Sequence, residues 1–165
     1  MEKERGETMT RTSQSVYDKQ RGTVMGALAK GTDLMEGILA ECQKHGVSAG
    51  AVTCIGSLQK AVFAQPAIQN GKPAYSEPVE WNHLVEVLSA TGFLSQTEKG
   101  ELDLHMHALV VNEEGAISGG HFLKGENPVA VTIEFSVQAV QADIIRAYDE
   151  QEGFRLLKFK PRKGE

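Results

Sequence analysis

Alternation of apolar and polar residues across positions 101–111 is the feature that most restricts the fold of this chain. Apolar side chains occupy every second position there: Leu102, Leu104, Met106, Ala108 and Val110. A two-residue period is typical of a β-strand with one buried face. The same period runs through residues 129–138. We therefore expect a sheet in which one face is covered by another layer.

One helix is predicted, beginning after Asp33. Glu36 follows Asp33 by three residues, as in a capping box. Apolar residues then recur at spacings of three and four, which gives one helix face: Leu34, Met35, Ile38, Leu39 and Cys42. Gly46 suits the left-handed conformation that often ends a helix. One helix beside about six or more strands, mostly joined by short turns, predicts an α+β fold with an antiparallel-rich sheet.

Glycine and turn residues divide the rest of the chain into shorter strands. Further strands are predicted at 23–28, 49–55, 58–65, 83–91 and 117–123. We expect Gly56-Ser57 and Gly92 to end the strands before them. Asn70-Gly71 is a strong signal for a hairpin turn.

The length of 165 residues fits one domain. Residues 1–20 are polar with little aliphatic content, so we expect a flexible N-terminal tail. The domain is expected at 21–145, followed by a C-terminal extension at 146–165. The basic end of that extension contains Lys158, Lys160, Arg162 and Lys163.

Other features of the sequence bear on location and chemistry. Apolar runs stay below the ~18 residues that span a bilayer, and the start lacks the apolar core of a signal peptide. We expect a soluble cytoplasmic protein without a membrane partner.

Cys42 and Cys54 match neither a disulfide framework nor a paired zinc motif, so both are interpreted as buried thiols. A nucleophile elbow and a phosphate loop are both missing from the sequence.

Three histidines are the candidate metal ligands. His105 and His107 lie on one strand face, about 6.6–6.8 Å apart along the strand, so both can reach one ion. A hairpin return through Gly119-Gly120 could bring His121 beside them, and three histidines with an open fourth position make a catalytic zinc arrangement. Imidazole suits zinc, but copper and nickel also accept it. The alternative is a set of surface histidines bonded to neighbours such as Asp103 or Glu134.

The charge balance argues against strong autonomous binding to nucleic acid. Net charge is -5 at pH 7, whereas a domain that binds phosphates by itself usually presents a basic surface.

His45 lies at the end of the predicted helix and is interpreted as a structural cap there.

An ordered series of motifs across residues 21–145 resembles the PPC domain, which plants and prokaryotes share. The series comprises Gly31-Thr32-Asp33-Leu34, Ile55-Gly56-Ser57-Leu58, Glu86-Val87-Leu88-Ser89-Ala90-Thr91-Gly92, Leu104-His105-Met106-His107, Gly119-Gly120-His121 and Thr132-Ile133-Glu134. The resemblance implies an α+β subunit that assembles as a homotrimer. Plant members join the domain to AT-hook motifs in nuclear DNA-binding proteins, and prokaryotic members are commonly named DNA-binding by analogy.

This sequence differs from the plant pattern in two respects. It lacks an Arg-Gly-Arg-Pro hook, and its three histidines resemble the prokaryotic version with a metal site. The leading interpretation is a trimer that binds zinc or another divalent metal through His105, His107 and His121, with weak DNA binding of little sequence preference.

Two other interpretations stay open. The first is a metal-dependent enzyme acting on an unknown small molecule, with Glu86 or Glu134 as the proton carrier. The second is a purely structural trimeric interaction module.

Overall fold

The structure is a computed structural model that describes residues 11–162. Within this range a single helix, α1 (Leu34–Lys44), accompanies thirteen strands. The strands are β1 (Gln14–Asp18), β2 (Thr23–Ala29), β3 (Gly50–Leu58), β4 (Ala61–Ala64), β5 (Pro66–Gln69), β6 (Lys72–Tyr75), β7 (Val79–Trp81), β8 (Val85–Thr97), β9 (Leu102–Asn112), β10 (Ile117–Phe122), β11 (Val129–Ala139), β12 (Ala142–Asp149) and β13 (Phe154–Pro161). The predicted α+β class with an antiparallel-rich sheet is confirmed.

The main sheet has the order β1-β2-β11-β3-β8-β9-β10-β4-β7. All pairings along this path are antiparallel, and the β12–β13 hairpin joins β8 through a short parallel contact. Helix α1 lies against one face of the sheet, where its buried side chains join those of the strands in one core. We call the opposite face of β1, β2, β11, β3, β8, β9 and β10 the open face. No helix in the described residues has the length and apolar character needed to cross a membrane.

Both ends of the helix follow the expected capping chemistry. Asp33 Oδ1 accepts hydrogen bonds from the backbone N–H groups of Met35, at 3.0 Å, and Glu36, at 2.9 Å. The other carboxylate oxygen accepts the Asn127 N–H, which ties the helix start to the loop before β11. His45 is the C-cap residue, and Gly46 follows it with a φ of 69°. The predicted helix boundaries and the role of His45 are confirmed.

Part of the segment expected to be a flexible tail is a strand. Strand β1 pairs with β2 over five residues, from Gln14↔Ala27 to Asp18↔Thr23. Residues 1–10 lie outside the described part of the chain. At the other end, the expected boundary at residue 145 falls inside β12, and β12 pairs with β13 along its whole length. Residues 142–161 therefore form one hairpin.

Two glycines expected to end strands lie inside them. Gly92 is within β8, where a Cβ would lie 2.3 Å from the His105 carbonyl oxygen. Gly56 is within β3, at a register shift between Cys54 and Gly56 that marks an irregularity in the ladder. Both glycines permit close backbone approach, so the prediction that they break strands is wrong. The hairpin turn at Asn70-Gly71 is confirmed.

Glu41 is a buried charge on the helix face that meets β1. It is 2% exposed, is paired with Lys44, and accepts a hydrogen bond of 2.6 Å from the Ser15 hydroxyl. Ser15 Oγ also lies 2.9 Å from His45 Nε2. Burial raises the pKa of Glu41, but the hydrogen bonds from Lys44 and Ser15, together with the charges of Lys44 and His45, outweigh burial and hold that pKa below its ordinary value.

Glu41→Gln is expected to lower the free energy of unfolding at pH 7 by about 1–3 kcal/mol, because Lys44 loses its charge partner. A lowered folded pKa means that Glu41 stabilises the fold above its ordinary pKa of 4.5 and that this contribution is lost as pH falls. Urea unfolding from pH 3.5 to 7 should therefore show a flatter pH dependence for Glu41→Gln than for the parent. The exposed Glu98→Gln is the control, and equal pH curves for parent and Glu41→Gln would contradict this interpretation.

Candidate metal centre

Two adjacent strands carry the three histidines. His105 and His107 lie on β9, and His121 lies on β10 directly opposite His107. The neighbouring residues Leu104 and Met106 are fully buried on the helix side of the sheet. All three imidazole rings are consequently on the open face, as the alternation on β9 and the hairpin return predicted.

Glycines allow β10 to fit between β9 and β4. A Cβ at Gly119 would lie 2.0 Å from the Ala108 carbonyl oxygen, and one at Gly120 would lie 2.2 Å from the Ala64 carbonyl oxygen. Larger residues would push the strands apart. The two glycines thus hold His121 in register with His107.

The three rings converge on one point. Their nearest metal-ligating nitrogens all lie within 4.8 Å of one another, and Nε2 of His105 is 3.1 Å from Nε2 of His107. In a tetrahedral zinc site with Zn–N bonds of about 2.0–2.1 Å, two ligand nitrogens lie roughly 3.3–3.4 Å apart. The His105–His107 separation is close to that value, so the donor set fits a small divalent ion.

His121 has an unsatisfied ring nitrogen. Its Nδ1 is buried, and no donor or acceptor in residues 11–162 bonds it. Tyr75 stacks on the same ring, with centroids 4.7 Å apart, and so limits the ring's rotation. A buried polar atom without a partner is costly, and a metal ion would remove that cost if it bound there.

The surroundings keep two of the rings neutral. Burial, followed by the charge of Arg146, lowers the pKa of His105 to about 4. Burial, followed by the charges of His105 and Arg146, lowers the pKa of His121 to about 4. Both imidazoles are therefore unprotonated at neutral pH, which is the form that binds metal.

An ion pair beside the histidines was missed by sequence reasoning. Arg146 Nη1 on β12 donates to Asp103 Oδ2 on β9 at 3.3 Å, and both side chains are largely buried. Asp103 was recognised as a residue of the histidine face. Arg146 lies in the segment expected to be an extension, and nothing in the local pattern indicated that β12 would pack there. Tyr75 was also missed, because nothing in the local pattern of β6 indicated that it would stack on His121.

The two candidate proton carriers lie away from the histidines within one chain. Glu86 is opposite Val111 on β9, four residues from His107, which is roughly 13 Å along the strand. Glu134 is on β11, three strands from β9, which is roughly 14 Å across the sheet. The structure therefore does not bring Glu86 or Glu134 to the three histidines of the same chain.

Chemically, the arrangement has the properties of an open metal site. Three imidazole nitrogens come from one side, and His107 is exposed to solvent. A metal held in this way keeps a position free for water or another ligand, and it can acidify a bound water or polarise a carbonyl.

Solved structures with a similar fold include three prokaryotic proteins. A protein from Bacteroides thetaiotaomicron, provisionally named DNA-binding, has a TM-score of 0.75 at 18% identity, covering 90% of this chain and 99% of its own. A metal-containing protein from Archaeoglobus fulgidus has a TM-score of 0.72 at 25% identity, covering 90% and 99%. A plant- and prokaryote-conserved (PPC) protein from Pyrococcus horikoshii has a TM-score of 0.71 at 23% identity, covering 90% and 96%.

The sequence itself also matches a family. A search of curated proteins found no significant match. The family model of the Plants and Prokaryotes Conserved (PCC) domain, however, matches residues 16–141, which include all three histidines and the helix. The resemblance in the motif series is thereby confirmed, and the chain belongs to the Plants and Prokaryotes Conserved (PCC) domain family.

Proposed function

We propose that this protein binds one divalent metal ion per chain, zinc first among the candidates, through His105, His107 and His121. The observation that carries the proposal is the convergence of three ligand nitrogens within 4.8 Å. The neutral state of His105 and His121 and the unsatisfied Nδ1 of His121 support it. The fold shared with a metal-containing protein at 25% identity agrees with it.

The alternative of ordinary surface histidines has less support. It required partners such as Asp103 or Glu134, yet Asp103 bonds Arg146 and Glu134 lies three strands from β9. Among the described residues, His105 and His107 are hydrogen-bonded to each other through their Nε2 atoms. Three imidazoles that face each other without acidic partners favour a shared ion.

Metal content of the protein purified without added metal is the first test. We expect close to one equivalent of a divalent metal per chain, removable with a chelator and restored by Zn²⁺ in a calorimetric titration with a single site. A chelator-treated protein that takes up no Zn²⁺ would contradict the proposal.

Trimer assembly is the second part of the proposal, and the open face supports it. One row of directly paired residues crosses seven strands of this face: Val16, Met25, Ser136, Thr53, Thr91, His107 and His121. Val16 is 70% exposed, Met25 58% and Ile55, near the same row, 55%. Large apolar side chains grouped on a flat sheet face are typical of a protein–protein interface. The metal site would then lie at the margin of that interface.

For DNA we propose weak binding of little sequence preference. The similar protein with a DNA-binding name, from Bacteroides thetaiotaomicron, is 18% identical to this chain, so that likeness is evidence for the fold alone. The basic end is also partly neutralised, because Arg162 is paired with the Asp143 carboxylate. Titration of a labelled duplex should give dissociation constants no tighter than the roughly 10⁻⁴–10⁻⁶ M of non-specific binding at physiological salt. Nanomolar binding there would contradict this prediction.

Metal-dependent catalysis at this site would require a group that carries a proton. Because neither Glu86 nor Glu134 reaches the histidines of its own chain, such a group would have to come from water or from a neighbouring subunit. The histidine site and the assembly are therefore the parts of the function to test first.

A further inference from the structure

A cleft opens beside the histidines, between strand β13 and the open face. Its volume is about 540 Å³, within the range of roughly 300–1,000 Å³ that small-molecule sites occupy. We call it the hairpin cleft. Its lining includes Phe93, His105, His107, Arg155, Leu156 and Phe159.

One part of the hairpin cleft is an uncovered apolar surface. Phe93 on β8 and Phe159 on β13 meet edge to face, with ring centroids 6.2 Å apart. Phe93 is nevertheless 44% exposed and Phe159 60% exposed, and Leu156 beside them is also exposed. Aromatic edges and faces of this kind favour contact with a planar apolar group.

The other part of the cleft is polar and contains the positive charge of Arg155. Within residues 11–162, its ionisable lining consists of His105, His107 and Arg155, and none of the lining residues is a carboxylate. The nearby Asp103 is neutralised by Arg146. Arg155 has a planar guanidinium that pairs with carboxylates through two hydrogen bonds. The lining therefore complements an anion.

We propose that the hairpin cleft binds a small anionic molecule with a planar apolar body, such as an aromatic carboxylate. The polar lining, His105, His107 and Arg155, receives the anionic group, and Phe93, Leu156 and Phe159 hold the apolar body. The contribution of the two histidines rests on the metal site proposed above. The contributions of Arg155 and of the apolar lining do not, so the metal-free protein should bind the same molecule more weakly.

Fluorine NMR with para-(trifluoromethyl)benzoate tests this directly. The probe is titrated into zinc-loaded and chelator-treated protein, with metal content measured on the same samples. The alcohol with the same ring and no charge, and trifluoroacetate, which has the charge and no ring, serve as comparison probes. We expect the aromatic carboxylate to bind most tightly to both forms, and more tightly to the zinc-loaded form.

Two variants locate the binding. Phe159→Ala and Arg155→Gln should each weaken binding of the carboxylate by roughly fivefold, because one removes an aromatic contact and the other a charge partner. Both should leave Zn²⁺ uptake unchanged. Ile68→Ala and Arg21→Gln, which alter exposed residues elsewhere, are the matched controls and should bind the probe as the parent does.

The outcomes separate this proposal from the metal site. Zinc-loaded protein that does not bind the carboxylate, or binds the alcohol equally well, overturns the cleft proposal and leaves the metal site standing. Protein that takes up no Zn²⁺ contradicts the metal site. In that case, binding that falls in Phe159→Ala and Arg155→Gln still supports the cleft, and binding that is unchanged in both variants overturns it.

Discussion

Replacing His121 by alanine is expected to weaken Zn²⁺ binding by at least roughly 100-fold, because even the loss of an outer partner of a metal ligand costs about 10–100-fold. The fold should persist, since the His121 side chain is on the open face and β10 is held by backbone pairing with β9 and β4. Metal content after dialysis and a competitive chelator titration measure the effect, and circular dichroism checks the fold.

His83→Ala is the matched control for this variant. His83 is exposed and stacks on Trp81, away from the three histidines. The control should keep the metal content of the parent. If His121→Ala also kept it, the three-histidine site would be refuted, and any bound metal would have to be held elsewhere.

Met25→Asp should convert the proposed trimer to a monomer. Met25 lies in the apolar part of the open face, opposite Val16 on β1 and Ser136 on β11. An unpaired carboxylate buried in an interface costs several kcal/mol, which is enough to dissociate the assembly at micromolar concentration. Light scattering of the parent should give three times the 17.9 kDa of one chain, and the variant should give one chain mass.

Ile68→Asp is the control for the assembly. Ile68 is also highly exposed, but it lies on β5 in the separate β5–β6 hairpin. We expect this variant to stay trimeric. A parent that is monomeric at micromolar concentration would contradict the assembly outright, and a trimeric Met25→Asp would move the interface to another surface.

The orientation of the histidines could be predicted because it depends on local pattern. Alternation places His105 and His107 on the same side whatever the strand pairs with. The short turn between β9 and β10 then brings His121 opposite His107, because a hairpin register is set by the length of its turn. Helix α1 was predictable for a similar reason, since its cap at Asp33 and its apolar stripe lie within a few residues.

Other features depend on residues far apart in the sequence. Strand β1 has only Val16 and Tyr17 as large apolar residues, and one of its contacts with the helix is the bond of Ser15 to Glu41, 26 residues away. The pair of Arg146 with Asp103 spans 43 residues. Gly56 and Gly92 resemble strand breakers locally, and only the neighbouring backbone shows why a side chain is excluded there.

Metal-edge X-ray absorption of the protein loaded with one equivalent of Zn²⁺ tests the central claim most directly. The account predicts three imidazole nitrogens at about 2.0–2.1 Å with one further light ligand, and a loss of imidazole scattering in His121→Ala. A shell of oxygen atoms without imidazole scattering, or sulfur at about 2.3 Å from Cys42 or Cys54, would contradict it.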